Sequence, residues 1–220
     1  MAAWESDIIR VSTGKLNTVN DTYIGGAPAG SIGLSAANMV SLYAGQLGKA
    51  LWLGPDQIST MFDSSVGTLY GGRYRYVRMR DGDVDSPAVG VGQILFWDTT
   101  VTAWQSAYQV TRDENLSSVD NAVMIAGIYL GGFTGGNYGF IQDLGMVPVR
   151  FRSVLTTAGA IGSRVYAAGT GDTGSDQGTA DVLTTDSTSL ANARFLGNAV
   201  TAPAGGALAN VILRYDNILG

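Results

Sequence analysis

The sequence predicts an all-β fold, a sandwich or barrel of short antiparallel strands. Three observations carry that expectation. Apolar and polar residues alternate with a period of two, as in Val147, Val149 and Phe151 against Met146, Pro148, Arg150 and Arg152. Period two puts one face of a strand in a core and the other in water. The alternating stretches are short and bounded by turn-forming residues, and glycine makes up 31 of the 220 residues. Many short strands at such spacing are the pattern of sandwiches and barrels. Helical spacing, by contrast, is confined to one window, residues 34–51.

Taken in order, residues 1–33 read as an extended N-terminal arm. Ile8, Ile9 and Val11 offer one short strand, and then Asn17, Asn20, Asp21, Gly25, Gly26, Pro28, Gly30 and Gly33 interrupt any regular element. An arm of that kind has no core of its own and is expected to lie across a neighbour. Residues 34–66 form a short helix and a connector. Leu34, Ala37, Val40, Ala44, Leu47 and Leu51 are three or four apart, Ser35 stands at the cap position, and Gly45 and Gly48 weaken the helix.

The β-rich domain is expected from residue 67 to 220. Tyr70 to Arg80 is its first long strand, with Tyr74, Tyr76, Arg78 and Arg80 on one face and Arg73, Arg75, Val77 and Met79 on the other. Neither face is cleanly apolar, so this strand is expected to be partly exposed or to lie at a contact. Further strands are expected at Gln93–Trp97, Tyr108–Thr111, Ala122–Leu130, Tyr138–Asp143, Met146–Val154, Arg164–Ala167, Ala180–Thr184, Ala193–Val200 and Leu208–Tyr215. Gly145 is read as a tight reversal between two of them. Pro148 has no N–H to give a ladder, which predicts an edge strand or a bulge there.

Residues 92–141 can be laid on residues 162–211 at a constant offset of 70. Gly92 falls on Gly162, Leu95 on Val165, Phe96 on Tyr166, Ile125 on Phe195, Gly127 on Gly197 and Gly135-Gly136 on Gly205-Gly206. Turn glycines and core residues coincide together, which suggests two related β units around a shared core.

Composition excludes several chemistries. The chain holds no cysteine and no histidine, which removes disulfides, thiolate nucleophiles, Cys/His zinc sites and Ser-His-Asp triads. With 18 acidic and 13 basic residues the net charge is −5, so no nucleic-acid partner is expected. No signal peptide and no membrane span are expected either.

The candidate constellations are weak. Asp81, Asp83 and Asp85 have the spacing that opens a calcium loop, but Ser86 and Gly92 stand where glycine and a bidentate glutamate are needed. Asp172-Thr173-Gly174-Ser175 spells the aspartic-protease tetrapeptide once, and that chemistry needs two carboxylates sharing a proton. Glu5 and Glu114 lie in an apparent arm and an apparent turn, and no aspartate pair stands out for glycoside hydrolysis. Trp97, Trp104 and Tyr108 can line a sugar surface or fill a core. No catalytic residue, cofactor or metal is expected.

Several motifs, in their order, resemble the β-rich head decoration (capsid cement) proteins of tailed bacteriophages. They are Arg73-Tyr74-Arg75-Tyr76-Val77-Arg78, Gly92-Gln93-Ile94-Leu95-Phe96-Trp97, Ala126-Gly127-Ile128 and Gly136-Asn137-Tyr138-Gly139-Phe140-Ile141-Gln142. Ala158-Gly159, Phe195-Leu196-Gly197-Asn198-Ala199 and Val211-Ile212-Leu213 continue the likeness, which spans roughly residues 68–215. The resemblance implies a non-enzymatic virion protein on the outer capsid surface, often trimeric, whose partner is the major capsid protein. Tyr74, Tyr76, Arg78, Trp97, Tyr138 and Phe140 are then the candidate interface residues. A tail or baseplate component and a glycan-binding β module are the alternatives.

Overall fold

The computed structural model describes residues 48, 50–54, 70–80, 90–101, 108–113, 118–119, 122–130, 135, 138–168, 176–182 and 195–214. The arm at 1–33, the connector after residue 54, the Asp81–Asp85 loop, the Asp172–Ser175 tetrapeptide, Glu5, Glu114 and Trp104 lie outside them.

The fold is all-β. Twelve strands are described: β1 (Ala50–Leu53), β2 (Gly72–Met79), β3 (Ile94–Trp97), β4 (Gln109–Thr111), β5 (Ser118–Val119), β6 (Ala122–Val123), β7 (Ile125–Tyr129), β8 (Tyr138–Arg150), β9 (Arg164–Ala167), β10 (Ala180–Val182), β11 (Phe195–Ala199) and β12 (Leu208–Leu213). β5 and β6 form a small separate ladder, and the other ten make one sheet.

That sheet closes on itself, which answers the choice between sandwich and barrel. β2 pairs with both β4 and β8, so β2, β4, β3, β7 and the first half of β8 make a five-stranded ring. The second half of β8 continues through β12, β11, β9 and β10. A parallel bridge between Phe151 and Ala180 brings β10 back to the end of β8. Closure satisfies the main-chain groups that an edge would leave unpaired.

The two rings have the same register. Ile94 opposes Ile128, Leu95 opposes Gly127 and Phe96 opposes Ile125, with a bulge between the last two pairs. Seventy residues on, Arg164 opposes Asn198, Val165 opposes Gly197 and Tyr166 opposes Phe195, with the same bulge. Phe96 facing Thr111 matches Tyr166 facing Asp181, and Ile128 facing Gln142 matches Asn198 facing Ile212. Only the first strand departs, by two extra residues: Arg80 N–H donates to the Val110 carbonyl at 2.8 Å in one ring and Arg152 N–H to the Ala180 carbonyl at 3.0 Å in the other.

Three expectations are corrected here. Residues 50–51, the end of the expected helix, belong to β1, where Ala50 and Leu51 pair with Arg75 and Tyr74. Gly48, with φ 80°, has already left helical geometry and donates its N–H to the Tyr76 carbonyl. Gly145 makes no reversal: β8 runs through it for 13 residues. Its φ of 100° lies beside a bulge in which Asp143 is the extra residue, since Tyr74 faces Gln142 while Arg73 faces Leu144. Finally, β2 is no exposed strand, because Tyr74, Tyr76, Val77 and Met79 are all buried.

The bulge explains how one strand serves two rings. An extra residue inverts which side chains face which side from that point on. Val77, Met79, Leu95, Trp97, Val110, Ala126, Tyr129 and Ile141 fill the first ring. Tyr74, Tyr76, Ile94, Phe96, Ile128 and Phe140 belong to a different cluster, shared with Val147, Val149, Phe151, Val165, Val211 and Leu213 of the second ring. The outer side of the first barrel and the inside of the second are therefore one core. Pro148 is tolerated because Phe151 N–H points to the Ala207 carbonyl on the β12 side while Arg150 N–H points the other way, to Gly92. Residue 148 shares the parity of 150, so no bond to β12 is lost.

Candidate functional site

Three of the five described carboxylates, Asp98, Asp143 and Asp181, are buried. Asp143, fully buried, accepts from Arg73 Nε at 2.7 Å and from Arg75 Nε at 2.8 Å. β2 places both arginines on one face and the bulge pushes Asp143 between them, closing one end of the first barrel. Arg75 also donates to the Gly48 carbonyl at 3.0 Å, and the Arg73 guanidinium lies 5.9 Å from the Trp52 ring centre. The second barrel fills the matching positions with Val147 and Leu213, an apolar layer.

Asp98, at the end of β3, accepts from Thr100 N–H at 3.0 Å, Gln109 Nε2 at 2.9 Å and Arg80 at 3.2 Å. Burial pushes its carboxyl up, but the bonds from Thr100 and Gln109 and the charge of Arg80 outweigh it and hold the pKa below the ordinary 3.8. A carboxylate depressed in the folded state gives stability above its unfolded pKa, and that contribution is lost as pH falls through the folded value. We therefore expect thermal stability to drop below about pH 4, with a shallower drop in Asp98→Asn, read as melting temperature at pH 5 and pH 3. Equal slopes for the two proteins would refute this.

Asp181 accepts from Thr156 N–H at 2.9 Å, from the Thr156 hydroxyl and from Arg152 at 3.3 Å. Asp176 accepts from Ser153 through both its N–H, at 3.0 Å, and its hydroxyl, at 2.8 Å. These four acids tie loops and strand ends together. Among the described residues no group of three or more acids gathers closely enough to hold a metal ion.

The six candidate interface residues do not form one surface. Tyr74, Tyr76 and Phe140 are 0–1 % exposed and sit in the shared core, with the Tyr76 and Phe140 ring centres 5.0 Å apart. The Tyr74 hydroxyl donates to the Tyr70 carbonyl at 2.5 Å, and burial pushes its phenol well above the ordinary value. Trp97 fills the first barrel, edge-on to Tyr108. Arg78 is half-buried on Gln109 Oε1 at 3.0 Å, and its Cα partner in the ladder is Tyr138. Burial takes Tyr74, Tyr76, Trp97 and Phe140 out of reach of a partner of the folded chain, because the sheet covers both faces of β2.

Sequence reasoning missed the Arg73–Asp143–Arg75 cluster, whose members are about 70 residues apart. The signal was there in part: two arginines at alternate positions and a lone acid inside an apolar strand.

No family model and no curated protein matches this sequence. Among solved structures, the chain is similar to the crystal structure of the head fiber gp8.5 N base of bacteriophage phi29. The identity is 13 % and the TM-score 0.37, over 64 % of this chain and 92 % of that one. A likeness of that degree places the two chains in no common family.

Proposed function

We propose that this chain is a non-enzymatic structural protein of a phage head. Within that class we propose a decoration protein that binds the outer capsid surface and ties neighbouring major capsid subunits together. The observation that carries the reading is the use of the buried acids: Asp98, Asp143 and Asp181 each hold an internal cation. The molecule's polar interior is spent on rigidity, as suits a part that holds others in place. The ordered motifs over residues 68–215 support the narrower reading by resemblance.

The test is binding to undecorated heads. Full-length protein is expected to co-sediment with them and to raise the temperature at which they rupture. A version lacking residues 1–33 is expected to bind more weakly while its β domain melts as before; unchanged binding would remove the arm from the contact. Light scattering is expected to give three times the 22.9 kDa chain mass. Failure to bind heads, with label found on tails, would replace this reading by the tail one. A glycan module would need exposed aromatic rings; Trp97, at 7 % exposure, is not one, but Trp52, at 62 %, is, so binding of soluble sugar by the isolated chain would favour that reading instead.

A further inference from the structure

The two barrels share a ladder but not an outer surface. In the first, the side chains facing away from the barrel interior, such as Tyr76, Ile94 and Ile128, are buried. At matching positions the second barrel carries Pro148, still buried, but also Arg164, exposed, and Asn198, half-buried, and at these last two the surface opens. Along β12, Ala209, Val211 and Leu213 point inward while Leu208, Ile212 and Arg214 are exposed, Leu208 by 45 % and Ile212 by 51 %. Arg164 on β9 is exposed two strands away, in line with Ile212 through Asn198, and Arg150 on β8 faces Leu208 across the ladder. Arg214 lies over the Phe195 ring at 5.6 Å, which holds its guanidinium in place.

The exposed charges of this face have one sign. Its strands present Arg150, Arg164 and Arg214, while the acid Asp181 on β10, which faces Tyr166, is 4 % exposed and paired with Arg152. The described residues as a whole hold nine arginines and five aspartates, and four of those aspartates accept internal bonds. A cationic rim around two exposed aliphatic side chains is the complement of a folded protein surface that is acidic with an apolar centre. Nucleic acid fits less well, since it would leave Leu208 and Ile212 against phosphate.

We propose that this outer face of the second barrel is the footprint through which the chain holds an acidic surface of the capsid shell. The proposal rests on the head-decoration reading, and the probe is the undecorated head. Ile212→Glu and Arg214→Glu are each expected to weaken co-sedimentation roughly tenfold or more. Ile212→Val and Arg214→Lys are expected to keep it. Wild-type binding is expected to weaken as NaCl rises from 0.05 to 0.5 M, on the order of the screening change for exposed charges. Because both side chains are exposed, all four variants should melt with the wild type, which separates lost contact from lost fold. If wild type binds and both glutamate variants bind equally well, the footprint is elsewhere and the decoration reading stands. If wild type itself does not bind, the decoration reading fails and takes this one with it.

Discussion

Asp143→Ala is expected to cost about 3–5 kcal/mol, because it leaves Arg73 and Arg75 buried without their counter-charge. For a chain of this size that is a fall in melting temperature on the order of 10 °C. The cost should come from the orphaned cations rather than from an intrinsic need for an ion pair. The second barrel supplies the control, since it builds the same layer from Val147 and Leu213. Asp143→Leu combined with Arg75→Val and Arg73→Met should therefore recover most of the loss, as buried ion pairs replaced by apolar packing often do. Chemical denaturation of the single and triple variants decides the matter: a triple variant as unstable as Asp143→Ala would mean that the charges are themselves required.

Gly197→Ala should be nearly as damaging, at about 2–4 kcal/mol. A Cβ at residue 197 would overlap the Ile212 carbonyl, and one at residue 127 would stand 2.7 Å from the Gln142 carbonyl. Both glycines occupy the same bulge, where the neighbouring strand's backbone passes too close for any side chain. Gly206 is the comparison. It has φ 70° but open space around it, so Gly206→Ala meets only backbone strain, about 1–2 kcal/mol. If all three alanine variants unfolded alike, close approach would not be the reason for the bulge glycines.

Much of the ladder was legible because the sequence punctuates it. Arg164–Ala167 was expected and found with the same ends, and the strands at 195–199 and 208–213 lie inside the expected windows. Glycine turns mark those boundaries, and alternation marks the faces. Closure was not legible, since the β2–β8 pairing joins residues about 70 apart and nothing local specifies it. The same gap misplaced Tyr74, Tyr76, Trp97 and Phe140. Amphipathic alternation reads as one wet face, yet both faces of β2 are covered when one sheet curls twice. Gly145 looked like a turn because a glycine at positive φ serves a bulge as well as a reversal.

β8 has a further consequence. Joined modules ordinarily meet through a connector that lets each sample orientations before both find their targets. Here the last strand of one barrel is the first strand of the next, a continuous strand of 13 residues, on the order of 40 Å long, bulged once at Asp143 and hydrogen-bonded to neighbours on either side of the bulge. Distances between points on the two barrels are thus set at synthesis, like marks on a ruler. A target whose spacing matches gains the second contact with almost no loss of freedom, and one whose spacing differs by a few ångströms is refused rather than accommodated.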